Sequence, residues 1–236
     1  MDFTRSAFLG GVSALLAAPG IAGAADVPPS TVDPVAPARG TPEQALAFLC
    51  DGNKRFIAGG KRKRPRPSAA TPQRPWAALI TCADTRVAPE IVFDSGFGDL
   101  FVSRTAGNIA DNDVTGSTQF AVAVFHAPLV VVVAHSGCGA CDAAIKTFDG
   151  VGDIPAASIL SVARTIMPAV SRIPRGDDPA SRLRAVAEKN AQLTAAALAT
   201  GPILSPAVAS GKLRVTWAYH DLASGEVSIH GHSCPK

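Results

Sequence analysis

Leu129-Val130-Val131-Val132-Val133-Ala134-His135-Ser136-Gly137-Cys138-Gly139 is the stretch on which the fold turns. Its first six residues are apolar without a break and mostly β-branched, with none of the polar alternation of a half-exposed strand. That pattern suits a parallel strand covered on both faces. Polar chemistry begins abruptly at His135, and the glycines allow a tight turn into a helix read over 140–148. Upstream, Ala77-Ala78-Leu79-Ile80-Thr81 repeats the arrangement and runs into Cys82. Leu100-Phe101-Val102 reads as a further strand, 115–127 as a helix, and 156–173 and 179–199 as two long Ala/Leu-rich helices. Segments 213–219 and 226–230 alternate well enough for two strands around a Ser224-Gly225 turn. Strands alternating with helices predict an α/β domain: a mainly parallel central sheet flanked by helices, with an N-terminal helical arm.

The arm begins at Thr41-Pro42-Glu43, a capping hydroxyl followed by proline at the first helical position and an acid in the first turn. Leu46, Leu49 and Phe56 form its apolar stripe, and Gly59-Gly60 ends it. Ahead of it, residues 1–24 carry Arg5, an apolar stretch over 7–16, Pro19-Gly20 and a small-residue Ala22-Gly23-Ala24 site, the pattern of a secretory signal peptide. The apolar stretch is too short and glycine-rich for a transmembrane span. Ser6 stands where a twin-arginine signal would have a second arginine, so the export route is open. Residues 25–40, rich in Pro, Ala and Gly, read as a flexible linker, leaving one domain over 41–236. The expected location is periplasmic or secreted, with no stable membrane span once the signal is removed.

Composition narrows the function classes. Of 236 residues, 47% are hydrophobic and 17% charged, which excludes wholesale disorder. A net charge of +3 gives no reason to expect a nucleic-acid partner. The basic run KRKRPRP at 61–67 lacks interleaved aromatics and reads as a solvated surface loop. Five cysteines are too few for a disulfide scaffold, so each is judged by its neighbours.

Reactive groups in open α/β sheets collect at the carboxyl ends of strands, where Cys82 and His135 both fall. In Cys82-Ala83-Asp84-Thr85-Arg86, an extended backbone puts thiol, carboxylate and guanidinium on one side. His135-Ser136-Gly137-Cys138-Gly139 adds an imidazole and a second thiol. Two sulfurs and one nitrogen form a donor set that zinc favours, and three protein ligands leave a fourth position for water. Arg86 would hold Asp84 ionised, and Asp84 would orient that water. Each pattern alone has a bland reading: a packed core cysteine, a surface ion pair, a chance His-x-x-Cys. Their convergence on two buried strand ends is what points to chemistry.

Cys-Ala-Asp-Thr-Arg-Val at 82–87 and His-Ser-Gly-Cys-Gly-Ala at 135–140 resemble the two signatures of the β-class carbonic anhydrases. Gln73, Gly98-Asp99-Leu100-Phe101-Val102, Arg104 and Gly107-Asn108 support the resemblance, which spans nearly all of the chain from Thr41 onward. It implies one Zn²⁺ per chain on Cys82, His135 and Cys138, and an Asp84–Arg86 catalytic dyad. Asp84 would instead become a fourth metal ligand in a closed resting state. The implied reaction is reversible hydration of carbon dioxide to bicarbonate and a proton. Phe101, Ala106 and Phe120 would line the substrate pocket, with Gln73 and the Gly139 backbone placing the oxygens. The implied assembly is a homodimer or a dimer of dimers, with the N-terminal helix reaching onto the neighbour. Thr85, Phe120 and Ala106 stand where relatives more often have serine, tyrosine and valine. Hydrolysis of carbonyl sulfide or carbon disulfide on the same fold is the alternative activity.

The remaining candidates belong to other classes. Cys138 and Cys141 form a C-x-x-C at a helix start, the basis of a rival thiol-redox reading that leaves Asp84, Arg86 and His135 unexplained. Cys141 reads as packed, and Cys50 as core or interface. His230, His232 and Cys234 alternate and would share one face of a strand, read as an exposed or interface strand end rather than a second metal site. His126 and His220 read as structural.

Overall fold

The computed structural model describes residues 40–60, 63–64, 66–68, 71, 73–152, 156–176 and 178–234; the expected signal peptide and residues 25–39 of the expected linker lie outside them. Helix α1 spans Pro42–Ile57 and starts as expected. The Gln44 backbone N–H donates to the Thr41 hydroxyl at 3.3 Å, and the Thr41 N–H donates to Gln44 Oε1 at 2.9 Å, closing a reciprocal capping box. There follow β1 (Ala77–Cys82), α2 (Pro89–Val92), β2 (Leu100–Thr105), a 3-10 turn (Ala106–Asn108), α3 (Asn112–Ala123), β3 (Leu129–His135) and α4 (Gly139–Asp149). The chain continues through α5 (Ala157–Val170), α6 (Pro179–Thr200), α7 (Ser205–Ala209), β4 (Arg214–His220) and β5 (Val227–Ile229).

The five strands form one sheet in the order β2-β1-β3-β4-β5. Neighbours are parallel except β4 and β5, which pair antiparallel. The unbroken apolar runs are explained by what covers them. Every residue of β1 and β3 is buried. Val130 and Val132 join the core beneath α3–α6, whereas Leu129, Val131 and Val133 join a second core with Leu46, Leu49 and Trp76 beneath α1 and α2. Each such valine contributes about 1.5–3 kcal/mol by leaving water. From β1 the chain goes to β2 on one side and returns to β3 on the other. The gap between β1 and β3 is therefore the switch point of the sheet, and their carboxyl ends, Cys82 and His135, border it.

Several boundaries differ from the expectation. α3 begins at Asn112 because Asp111 caps it, its Oδ1 accepting from the Val114 N–H at 2.9 Å. It ends at Ala123, before His126 adopts a left-handed φ of 55° and Pro128 forbids further helix. α2 and α7 are too short for periodicity to reveal. The basic loop is not simply solvated. Arg64 donates to the Ser95 carbonyl at 2.7 Å and pairs at 3.0 Å with Asp94, which Arg55 also holds at 2.7 Å.

Cys50 and Cys234, read separately as core or interface and as a strand end, are joined in a disulfide across 184 residues of sequence. β5 stops at Ile229, so His232 and Cys234 lie beyond the strand rather than on its face. Asn53 reinforces the same junction: its Nδ2 donates to the Gly225 carbonyl at 2.9 Å and its Oδ1 accepts from the Val227 N–H at 2.9 Å. His230 stacks on Trp217, ring centroids 4.7 Å apart. Among the described residues no helix is long and apolar enough to cross a membrane.

Candidate metal centre

Cys82 is the last residue of β1, His135 the last of β3, and Cys138 the residue preceding α4. Sheet register and the Ser136-Gly137 turn bring the three together. Their ligand atoms all lie within 4.8 Å of one another, and all three residues are buried. His135 Nδ1 lies 2.9 Å from the Ser136 carbonyl oxygen. A carbonyl only accepts, so Nδ1 carries the proton and Nε2 keeps its lone pair. Nε2 is buried and has no hydrogen-bond partner. An orphaned imidazole nitrogen beside two sulfurs is what a tetrahedral zinc ligand set with one open position requires, so the residues fit that metal.

Cys82 is pushed up to about 12, chiefly by its hydrogen bond with Cys138 and then by burial. Cys138 is pushed up to about 11, first by its hydrogen bond with Cys141. Two such thiols stay protonated at neutral pH, and a divalent cation is what would convert them to thiolates. His220, paired with His135 in the β3–β4 register, favours the neutral ring, because burial lowers its pKa.

Asp84 lies beside the trio but outside it. Arg86 grips its carboxylate in two bonds, Nε to Oδ1 at 2.9 Å and Nη2 to Oδ2 at 2.7 Å, and the Arg86 backbone N–H donates to Oδ1 at 3.0 Å. These hydrogen bonds hold the Asp84 carboxyl well below the usual carboxylate range. In this structure the Asp84 carboxylate is paired with Arg86. Arg104, noted in the sequence only as a supporting match, ties the loop down. It donates from Nε to the Cys82 carbonyl at 3.1 Å and from Nη2 to the Asp84 carbonyl at 2.7 Å. The Gly107 N–H donates to Cys82 Sγ at 3.3 Å. No spacing rule links residues 25 positions apart, so that bond was not readable in advance.

The expected substrate residues divide. Ala106 and Gly139 line one apolar cavity of about 470 Å³ with Ala140, Ala143, Ile159 and Val162. Phe101 and Phe120 instead pack with Phe125 in an aromatic cluster that leaves Phe120 48% exposed. Gln73 is exposed and lies on the segment before β1. The second Cys/His group, Cys50, His232 and Cys234, has its two sulfurs committed to the disulfide.

The carbonic anhydrase family matches residues 77–227, more than half of the chain. The chain is 36% identical over 198 residues to carbonic anhydrase 2 of Mycobacterium tuberculosis strain H37Rv, covering 81% of this chain and 94% of that protein. It is 34% identical over 201 residues to the carbonic anhydrase of Mycolicibacterium smegmatis, covering 81% of this chain and 94% of that one. In fold it is similar to a tetrameric β-carbonic anhydrase of Sordaria macrospora, with TM-score 0.60, 20% identity, and 80% and 93% of the two chains covered. The chain belongs to the β-carbonic anhydrase family. It is thereby an enzyme of the carbonate dehydratase class, and the sulfur-substrate and thiol-redox readings are not favoured.

Proposed function

We propose that this enzyme hydrates carbon dioxide reversibly to bicarbonate and a proton, using one Zn²⁺ held by Cys82, His135 and Cys138. The observation that carries this reading is the orphaned, buried Nε2 of His135 among two buried thiols, with an ion-paired carboxylate alongside. Zinc supplies Lewis acidity there, bringing a water's pKa from 15.7 to about 7 in the best-known sites.

The chain's own residues supply the rest. Arg86 keeps Asp84 ionised, so that its carboxylate accepts a hydrogen bond from the attacking oxygen and sets its direction. Arg104 fixes the backbone carrying both Cys82 and Asp84. The apolar cavity lined by Ala106 and Gly139, the residue after Cys138, offers a small uncharged substrate an apolar wall. Its alanines and glycine leave room for carbon dioxide; the family resemblance alone assigns Gln73, Phe101 and Phe120, which line no part of this cavity, to the substrate.

The working unit in this proposal is a homodimer or a dimer of dimers. The half-exposed Phe120, packed edge-on against Phe125, supports a covering neighbour, and the related Sordaria macrospora enzymes are tetrameric. We also propose export to the periplasm or beyond after removal of residues 1–24. The Cys50–Cys234 disulfide supports that compartment.

Stopped-flow hydration of carbon dioxide by residues 25–236, with zinc quantified in the same sample, tests the reading. Fast turnover with about one zinc per chain, abolished by chelation, is expected. A zinc-loaded chain inactive at every alkaline pH overturns it.

A further inference from the structure

α6 buries an apolar face: Val186, Ala187, Ala191, Ala195 and Leu198 lie against the sheet. One residue on that buried side is polar. Asn190 is 4% exposed, and a buried amide costs stability unless it is bonded. Its Nδ2 donates to the Gly107 carbonyl at 2.8 Å, across 83 residues of sequence.

Gly107 is the residue whose N–H points at the Cys82 sulfur. It sits in the 3-10 turn after β2 with φ 71° and ψ 23°. Glycine occupies positive and negative φ about equally readily, so its conformation must be imposed from outside. Two things impose it here. A Cβ at Gly107 would lie 2.6 Å from Ile166 Cδ1 and 3.1 Å from the Ala140 Cβ, so packing closes one side. The Asn190 amide holds the carbonyl, which lies in the peptide plane joined through the Gly107 Cα to the one that carries the Gly107 N–H.

We propose that Asn190 is a positioning residue of the metal centre. By holding the Gly107 carbonyl it restrains the turn at the Gly107 Cα, across which the preceding peptide presents its N–H to Cys82 Sγ, and so supports that sulfur's direction and electron donation. This inference rests on the zinc reading above. An N–H bonded to a thiolate sulfur withdraws charge from it, and outer-shell bonds of this kind orient ligands and tune the metal. Asn190 acts on the metal ligands through Gly107.

The test compares Asn190→Ala and the near-isosteric Asn190→Leu with Asn53→Ala. Asn53 is also a buried asparagine with hydrogen bonds to distant backbone, but it lies on the opposite face of the sheet. Zinc affinity is read by chelator competition. The thiolate-to-metal charge-transfer band is read on the cobalt(II)-substituted protein. Both Asn190 variants are expected to lose about 10–100-fold in zinc affinity and to shift the cobalt band. Asn53→Ala is expected to lower the melting temperature while leaving both metal readouts at wild-type values. If the alanine variant does not fold, the leucine variant decides alone. Wild-type zinc affinity and an unshifted band in a folded Asn190 variant overturn the relay. A wild-type chain that retains no zinc overturns the metal-centre reading itself, and the relay with it.

Discussion

Arg86 meets Asp84 in two parallel hydrogen bonds at 2.9 and 2.7 Å, yet its side chain is 60% exposed while that of Asp84 is 16% exposed. So exposed an ion pair contributes little to stability. In the proposed mechanism its value lies in holding a charged acceptor beside Cys82, His135 and Cys138.

Asp84→Asn should therefore separate folding from catalysis. The amide removes the charge and replaces one acceptor oxygen with a donor. The variant should unfold within about 1 kcal/mol of wild type and keep its zinc, because Asp84 is not among the three clustered donors. Carbon dioxide hydration should fall by about 10²-fold or more. Denaturant titration, zinc analysis and stopped-flow rates on one preparation check all three. Full activity would remove Asp84 from the mechanism.

Among the buried cysteines, neighbours in sequence should differ in consequence. Cys82→Ala, His135→Ala and Cys138→Ala each leave two donors of the trio and should lose zinc and activity together. Cys141 is fully buried in the same core but, among the described residues, belongs to no metal-ligand group. Cys141→Ala should retain about one zinc per chain. Elemental analysis after gel filtration distinguishes the two outcomes.

The continuous valine run and the Cys82 and His135 strand ends were legible because a doubly covered parallel strand admits no polar residue until its carboxyl end, where chemistry begins abruptly. The long helices were legible in their period, and α1 in its cap. What escaped was long-range pairing that leaves no periodic trace. Asn190 and Gly107 are 83 residues apart, and Cys50 and Cys234 are 184 apart. Only the folded chain makes them neighbours. Arg104 showed itself as a motif match, whereas its work on two backbone carbonyls emerged from geometry.

Acid should destabilise the fold partly through His220. Burial lowers its pKa, so the folded state favours the neutral ring while the unfolded chain binds a proton near pH 6.5. The unfolded state then binds more protons below that value, and stability rises with pH. The His220 contribution is complete above the unfolded pKa and is lost as pH falls from there toward the lower folded pKa. Melting temperatures of zinc-loaded wild type should fall between pH 7.5 and 5.5, and Asp84 should remain ionised across that window because Arg86 lowers its pKa. His220→Gln should show a shallower fall over the same range. An identical slope in the two proteins would remove His220 from the acid response.

The Cys50–Cys234 disulfide should support stability without touching catalysis. It joins α1 to the segment after β5 and closes a loop of 184 residues, so its loss enlarges the unfolded ensemble considerably. Chain-entropy reasoning for so long a loop gives about 5 kcal/mol, and measured losses of native disulfides run about 2–5 kcal/mol. Cys50 packs in the core beneath α1, whereas Cys82 and Cys138 belong to the core on the other face of the sheet. The paired variant Cys50→Ser/Cys234→Ser should thus unfold at markedly lower denaturant while keeping wild-type zinc content and near-wild-type turnover at room temperature. Asn53 still bonds Gly225 and Val227 in that variant, so the C-terminal strand stays docked. Loss of zinc along with the disulfide would show that the two faces of the sheet are coupled; unchanged denaturation would show that the covalent tie adds nothing beyond the Asn53 bonds.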